Sequence, residues 1–247
     1  MLKFNILVGM TDEIFAIIAQ GAKEMNIDLP PGTEAAFRTY YDFLEESGHD
    51  VNLTAISGAG EVARLHFLDS IALLNATNFR NTKVIDIGSG AGFPGVPLKL
   101  AEPTIDLTLL DATGKRISFL SRLNAKLGID VTCIKARAEE AAREPDKREK
   151  YDVVVSRAVA RLNILCELCI PYIRVGGVFL AMKSVDSSDE VSEAQSAVYS
   201  LGGEIHENFD YTIPGTEVTH RVIRIHKVKK TQEAFPRRFA RIQKSPL

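Results

Sequence analysis

Residues 84–95, VIDIGSGAGFPG, constrain the fold of this chain more than any other stretch. A short apolar run holding Asp86 stops at Gly88, and Gly90, Gly92 and Gly95 follow at once. Such a run, closed by glycine, reads as a buried strand that turns directly into a helix. Glycine at that turn lets the backbone bend tightly and approach a ligand without a Cβ in the way. Two ligands fit the string. From Gly90, GAGFPG matches the dinucleotide fingerprint G-x-G-x-x-G. From Gly88, GSGAG with Asp86 before it matches a loop for S-adenosylmethionine. The strand ends at Ile87, so the turn begins at Gly88, which favours the second register. An acid at Asp86 repels a pyrophosphate and attracts a cationic sulfonium and amino group. Ser89, inside the loop, joins Asp86, Gly88, Gly90 and Gly92 as a candidate cofactor contact. Asp111 closes the next apolar run, 19 residues after Gly92. A carboxylate there can accept hydrogen bonds from both ribose hydroxyls of either ligand.

The rest of the chain supports a doubly wound sheet with its ligand crevice at the strands' carboxyl ends. Strands are expected at Lys83–Ile87, 105–110, 131–135, 151–155 and 177–182. Helices are expected at Gly95–Ala101, at 115–127 with a stop at Gly128, at 159–173 and at 189–201. Two late strands, near 204–211 and 217–228, have no helix between them and should form an antiparallel hairpin. That ending departs from the dinucleotide-binding pattern. Before residue 82 the pattern is helical: a helix capped by Thr11, a second over 33–47 and a third over 60–75. Met10 opens the first helix, so residues 1–9 read as additional. The expected division is a helical extension over 1–76, a cofactor-binding domain over 77–228 and a basic tail over 229–247.

Composition excludes several classes. No stretch approaches roughly 18 uninterrupted apolar residues, so no membrane-spanning helix is expected. The start lacks a signal-peptide pattern, and three cysteines do not make a disulfide framework. A cytoplasmic location follows, where the sequon at Asn52 has no meaning. The net charge of −2 is unevenly spread. In residues 229–247, Lys229, Lys230, Arg237, Arg238, Arg241 and Lys244 face only Glu233, so the tail carries +5 and the remainder −7. A basic tail on an acidic body suits a polyanionic partner, with Arg237 and Arg238 as candidate contacts.

The expected fourth strand is followed by Ser156-Arg157-Ala158-Val159. No Pro-Pro-aromatic string for an exocyclic amine is present there. Cys133 falls mid-strand, and Cys166 and Cys169 fall on a helix where packing is the better reading. If the chain is a methyltransferase, its acceptor already carries a lone pair. The histidines His49, His66, His206, His220 and His226 show no metal-ligand spacing, and no metal is expected. His66 and Asp69, three apart on a helix, read as a structural pair.

The strings VNLTAI, HFLDS, DIGSGAGFPGVPL, LLDATGKRISFL, ARAEE, VVSRAVA, the Lys183 that follows a Gly-Gly pair, and the terminal PRRFARIQKSPL resemble the bacterial small-subunit ribosomal RNA guanine-N7 methyltransferases, the glucose-inhibited division protein B family. They run in order from about residue 51 to 247. Two departures are Ala112-Thr113-Gly114 before Lys115-Arg116, where Ser-x-x precedes Lys-Arg in the family, and Ser184 after Lys183, where Gly is usual. The resemblance implies a Rossmann-like methyltransferase fold and methyl transfer from S-adenosylmethionine to N7 of one guanine in small-subunit ribosomal RNA, as free RNA or within a ribosomal particle, by a monomer. It implies that Gly88, Phe93, Ala138, Glu139 and Arg157 line the cofactor pocket. Arg157 is the expected catalytic residue, bridging cofactor and RNA. Lys115, Arg116, Arg137, Lys183 and Arg221 are the implied RNA-facing cations. Guanine N7 has a free lone pair and no proton, so no general base is needed. Two rivals are an NAD-dependent oxidoreductase and a non-catalytic, S-adenosylmethionine-dependent RNA binder.

Overall fold

The structure is a computed structural model that describes residues 14–47, 58–157 and 160–247. Residues 1–9, the Thr11 cap, the VNLTAI string with Asn52, and Ala158 lie outside those residues. Among the described residues eight strands form one sheet: β1 (Lys83–Ile87), β2 (Asp106–Asp111), β3 (Thr132–Lys135), β4 (Tyr151–Arg157), β5 (Ile173–Ser184), β6 (Gly203–Ile205), β7 (Phe209–Thr212) and β8 (Thr219–Lys227). Their order is β3-β2-β1-β4-β5-β8-β6, with β7 also on β8. Strands β1 to β5 are parallel. β8 runs antiparallel to β5, β6 and β7. The mostly parallel sheet with an antiparallel ending is as expected from the sequence.

Alternation along each strand divides the core in two, since successive side chains point to opposite faces. In β4, Val153 and Val155 join one cluster and Val154 the other. The first face is covered by Gly95–Ala101, by Gly114–Leu127 and by the N-terminal helices, which contribute Ile14, Ile18, Phe37, Tyr40, Phe67 and Leu68 to the same cluster as Val84 and Leu107. Leu162–Cys169, Ser188–Ser200 and Ile242 of the C-terminal segment cover the second. Both terminal regions are therefore built into the cores of the sheet. No helix among the described residues is long and apolar enough to cross a membrane.

Several boundaries differ from expectation. The helix expected over 159–173 is Leu162–Cys169, followed by a tight turn at Ile170–Tyr172, and Ile173 already pairs with Tyr151 in the sheet. Pro171 lacks the N–H that would continue the helical ladder. The strand expected near 204–211 is two short strands, β6 and β7, both on β8, so the hairpin stands with its first arm interrupted. The helix expected over 60–75 contains a wider π-turn at Ala63–Leu68 that carries His66. Insertions of this type are frequent at functional sites. Within the tail, Phe239–Lys244 is helical, with Ile242 buried.

Candidate active site

The register aligns Ile87 with Leu110, Asp111 with Lys135 and Arg157 with Met182, so the carboxyl ends of β1 to β5 share one edge. β8 is antiparallel, and its beginning reaches that same edge, with His220 beside Ser184. A cleft of about 870 Å³ opens there, lined by the glycine loop, Arg116, Arg157, the end of β5 and His220.

The loop is held from beneath. Asp86 is fully buried, and its Oδ2 accepts the Gly95 N–H at 2.9 Å. Burial pushes its carboxyl up to about 8. Through Oδ2, Asp86 thus organises the turn beneath the loop. Ser89, also buried, donates its hydroxyl to the Asp86 carbonyl at 2.9 Å. Gly92 has φ 103°, and a Cβ there would lie 2.7 Å from the Tyr40 hydroxyl, so only glycine fits. At Gly90 a Cβ would meet only the Gly88 carbonyl, at 3.9 Å. The space above Gly90 therefore belongs to the cleft, and a ligand can approach its backbone. Asp111 accepts the Gly90 N–H at 3.2 Å, the Thr113 N–H at 2.8 Å and an Arg116 N–H at 3.3 Å. It stands between the glycine loop and the turn after β2.

These residues fit S-adenosylmethionine. Asp86 Oδ1 is buried with no hydrogen-bond partner. An orphaned acceptor under a glycine loop is what a ligand's amino group would satisfy.

The other wall is a side-chain cluster around Asp69. Its Oδ2 accepts an Arg157 N–H at 2.9 Å, and its Oδ1 accepts the Tyr211 hydroxyl at 2.6 Å and His220 Nδ1–H at 2.7 Å. Burial alone would raise the Asp69 carboxyl, but the bond from His220 and the charge of Arg157 hold it below the usual carboxylate range. Arg157 also donates to the Leu65 carbonyl at 3.3 Å, meets His66 Nδ1 at 3.1 Å and lies 5.0 Å over the Phe93 ring. Its charge is balanced by Asp69. His66 stacks on Phe93 at 4.6 Å, and Phe93 stacks on Tyr40 at 5.2 Å. Burial, then Arg157, lowers the His66 pKa to about 4. The imidazole is therefore neutral at pH 7, and its Nδ1 can accept from Arg157. The sequence pattern singles out Arg157 and Phe93 but presents His66 and Asp69 as structural and gives no role to His220 or Tyr211. Histidines beside an acid on a helix are the available signal.

On the far side, Ala138 is half-buried and its carbonyl accepts the Tyr172 hydroxyl at 2.7 Å. Glu139 is buried and accepts Arg137 Nε–H at 2.7 Å, so it is not a solvated helix charge. The expected RNA cations divide. Lys115 and Arg238 are exposed, and neither side chain has a partner among the described residues. Arg116 joins the cleft wall, and Arg137 is exposed above the Phe239 ring. Three are committed elsewhere. Lys183 bonds Glu190 at 2.7 Å and the Ala160 carbonyl at 2.6 Å. Arg221 makes a two-pronged pair with Asp210, at 2.7 Å on both arms. Arg237 grips Glu167, which is fully buried, through Nε, Nη2 and its backbone N–H. Arg237 therefore anchors the tail, in place of the RNA-facing role expected for it.

A family model described as rRNA small subunit methyltransferase G matches residues 33–213. The chain belongs to that family. The ribosomal RNA small subunit methyltransferase G of Alkaliphilus oremlandii is 42% identical over 95% of this chain and 99% of its own length. The protein of that name from Lachnoclostridium phytofermentans is 41% identical over 92% of this chain and 95% of its own. The solved structure of a ribosomal protein L11 methylase from Lactobacillus delbrueckii subsp. bulgaricus matches with a TM-score of 0.50 at 14% identity, covering 65% of this chain and 77% of that one. That likeness concerns the fold alone, a Rossmann-like methyltransferase fold. Membership makes this chain a methyltransferase and sets the oxidoreductase reading aside.

Proposed function

We propose that this protein transfers a methyl group from S-adenosylmethionine to N7 of one guanine in small-subunit ribosomal RNA. Family membership across nearly the whole chain supports the RNA substrate. The observation that carries the chemistry is that the glycine loop and the Asp69-held Arg157 line one cleft. When bound, the cofactor supplies a methyl group on a sulfonium. Asp86, Gly88, Ser89, Gly90, Gly92 and Phe93 shape the loop that receives it, Asp111 meets the ribose, and Ala138 and Glu139 stand at the adenine side. Arg157 is the catalytic residue: fixed by Asp69, Leu65 and His66, it orients cofactor and base across the cleft. Guanine N7 carries no proton, so the site needs alignment and no base, which agrees with a His66 held neutral. Orientation alone can supply roughly 7–11 kcal/mol of the barrier.

Lys115, Arg116, Arg137 and Arg238 are the cations proposed to meet RNA. The chain acts as a monomer in the cytoplasm: the large apolar side chains exposed among the described residues are Val175, Tyr199, Val218 and Val228. The test is transfer of a tritiated methyl group to free small-subunit RNA and to assembled small subunits, with mass spectrometry of the modified nucleotide. Arg157→Ala should lose turnover by at least about 100-fold in protein that still folds, a larger effect than its loss of stability, which is expected because the buried Asp69 loses its guanidinium partner. Modification at an atom other than guanine N7, or full activity without Arg157, overturns the assignment.

A further inference from the structure

The sheet order splits the cleft into two halves. The glycine loop and Asp111 follow β1 and β2, while Lys183, Ser184 and His220 lie across β4 on β5 and β8. A ligand held by Asp111 and the loop therefore leaves the β5–β8 half for the acceptor. In that half His220 stands out. Its Nδ1 is tied to Asp69 at 2.7 Å, and the Tyr211 hydroxyl that shares Asp69 Oδ1 braces the carboxylate. The imidazole is partly open to the cleft, with 30% of its side chain exposed. Its Nε2 has no hydrogen-bond partner among the described residues. Arg157, by comparison, already spends N–H groups on Leu65, Asp69 and His66 and lies against Phe93, on the loop side.

An enzyme that methylates guanine N7 must leave that nitrogen's lone pair free while holding the same edge of the base. The neighbouring group on that edge is O6, an acceptor; adenine presents an N6 amino donor at the same place. A donor aimed at O6 therefore grips guanine and rejects adenine, because a buried donor facing another donor is left unpaired. We propose that His220 is the residue that reads the target base, donating from Nε2 to guanine O6, with Asp69 as its positioning residue. The inference rests on the function proposed above.

The donor form requires a proton on each ring nitrogen, since Nδ1–H is given to Asp69. The bond to Asp69 raises the His220 pKa in that direction, with burial and then the charge of Arg157 acting against it. Tyr211, the other titratable group packed on the ring, stays neutral, because burial pushes its hydroxyl far up. One carboxylate thus serves two purposes: it fixes Arg157 beside the cofactor loop and fixes His220 across from it, so the two halves of the cleft keep one spacing.

The test combines protein variants with an altered base. RNA carrying either guanine or 2-aminopurine, which keeps N7 but lacks O6, is placed at the methylated position. For the unaltered protein, loss of O6 should lower kcat/KM by about 10- to 100-fold, the range for a hydrogen bond from a charged donor. His220→Ala should lose a similar factor on guanine RNA and then be indifferent to the loss of O6, with cofactor affinity unchanged by calorimetry. His220→Phe keeps the ring's bulk without a donor and is read the same way if the alanine variant fails to melt cooperatively. If the histidine-free proteins remain as sensitive to O6 as the unaltered one, the inference is overturned. If the unaltered protein puts no methyl group on guanine N7, the proposed function itself fails and takes this inference with it.

Discussion

Replacing Arg237 with alanine is expected to destabilise the whole fold. The substitution removes the three guanidinium hydrogen bonds to Glu167, from Nε at 2.9 and 3.1 Å and from Nη2 at 2.6 Å, and leaves only the backbone N–H at 2.7 Å. Glu167 is completely buried on Leu162–Cys169, packed among apolar side chains of the second core. Stripping one partner from a buried ion pair costs about 3–5 kcal/mol, because the remaining charge keeps its desolvation penalty. For a chain of this size each kcal/mol moves the melting temperature by about 2–4 °C, so a fall of about 6–20 °C is expected. Circular dichroism melts of three proteins check it. Arg237→Ala should show the full loss. Glu167→Leu combined with Arg237→Met should recover most of it, since removing both charges also removes the penalty. Arg238→Ala, next in the chain but exposed and unpartnered, should stay within about 0.5 kcal/mol of the original protein. An Arg237→Ala protein that melts within about 2 °C of the original, yet binds RNA more weakly, would refute the reasoning and restore Arg237 to an RNA-facing role.

Three further outcomes follow from the site. Asp111→Ala should weaken S-adenosylmethionine binding by about 1.5–3 kcal/mol in calorimetry, since its charged hydrogen bonds are gone; an unchanged affinity removes Asp111 from the ribose. His66 has its folded pKa lowered from 6.5 to about 4, so its stabilisation is present above pH 6.5 and is lost as the pH falls toward 4. That loss amounts to roughly 3 kcal/mol at most, and His66→Gln should flatten the decline in urea titrations run between those pH values. Replacing Arg238, Arg241 and Lys244 with Gln should reduce the slope of log RNA affinity against log salt by roughly 0.7 to 0.9 for each phosphate no longer neutralised; an unchanged slope would make those cations solvated surface.

The sheet was legible because its strands are short apolar runs closed by glycine or acid, and that pattern is local. The loop and Asp111 were legible for the same reason. The Asp69 cluster was not, because it joins Asp69 to Tyr211 and His220 across 142 and 151 residues of chain. No periodicity within one helix reports a partner that distant, so His66 and Asp69 looked like a pair of their own. Charge counting likewise could not show how the tail is held. Arg143 and Arg148 hold it by donating to the carbonyls of Thr231, Gln232, Ala234, Phe235 and Pro236, bonds that any tail sequence could accept. One clue was present: Glu167 is the lone charge in LNILCELC, and an acid inside an apolar helix needs a cation from elsewhere.

The antiparallel run of β8 has a consequence for how such an enzyme can diversify. Because β8 begins at the ligand edge, the turn that joins it to β7, residues 213–218, forms part of the cleft's rim and brings Val218 into it. Beyond Ile213, which is buried in the core, that turn lies at the surface between two strands of which β7 pairs, among the described residues, only with β8, so its length can change without rethreading the sheet. The cofactor half has no such freedom, since Gly92 and Gly95 are packed against Tyr40, Leu109 and Asp86. Insertions and deletions between 213 and 218 would thus alter which folded RNA is admitted while the machinery that delivers the methyl group stays as it is.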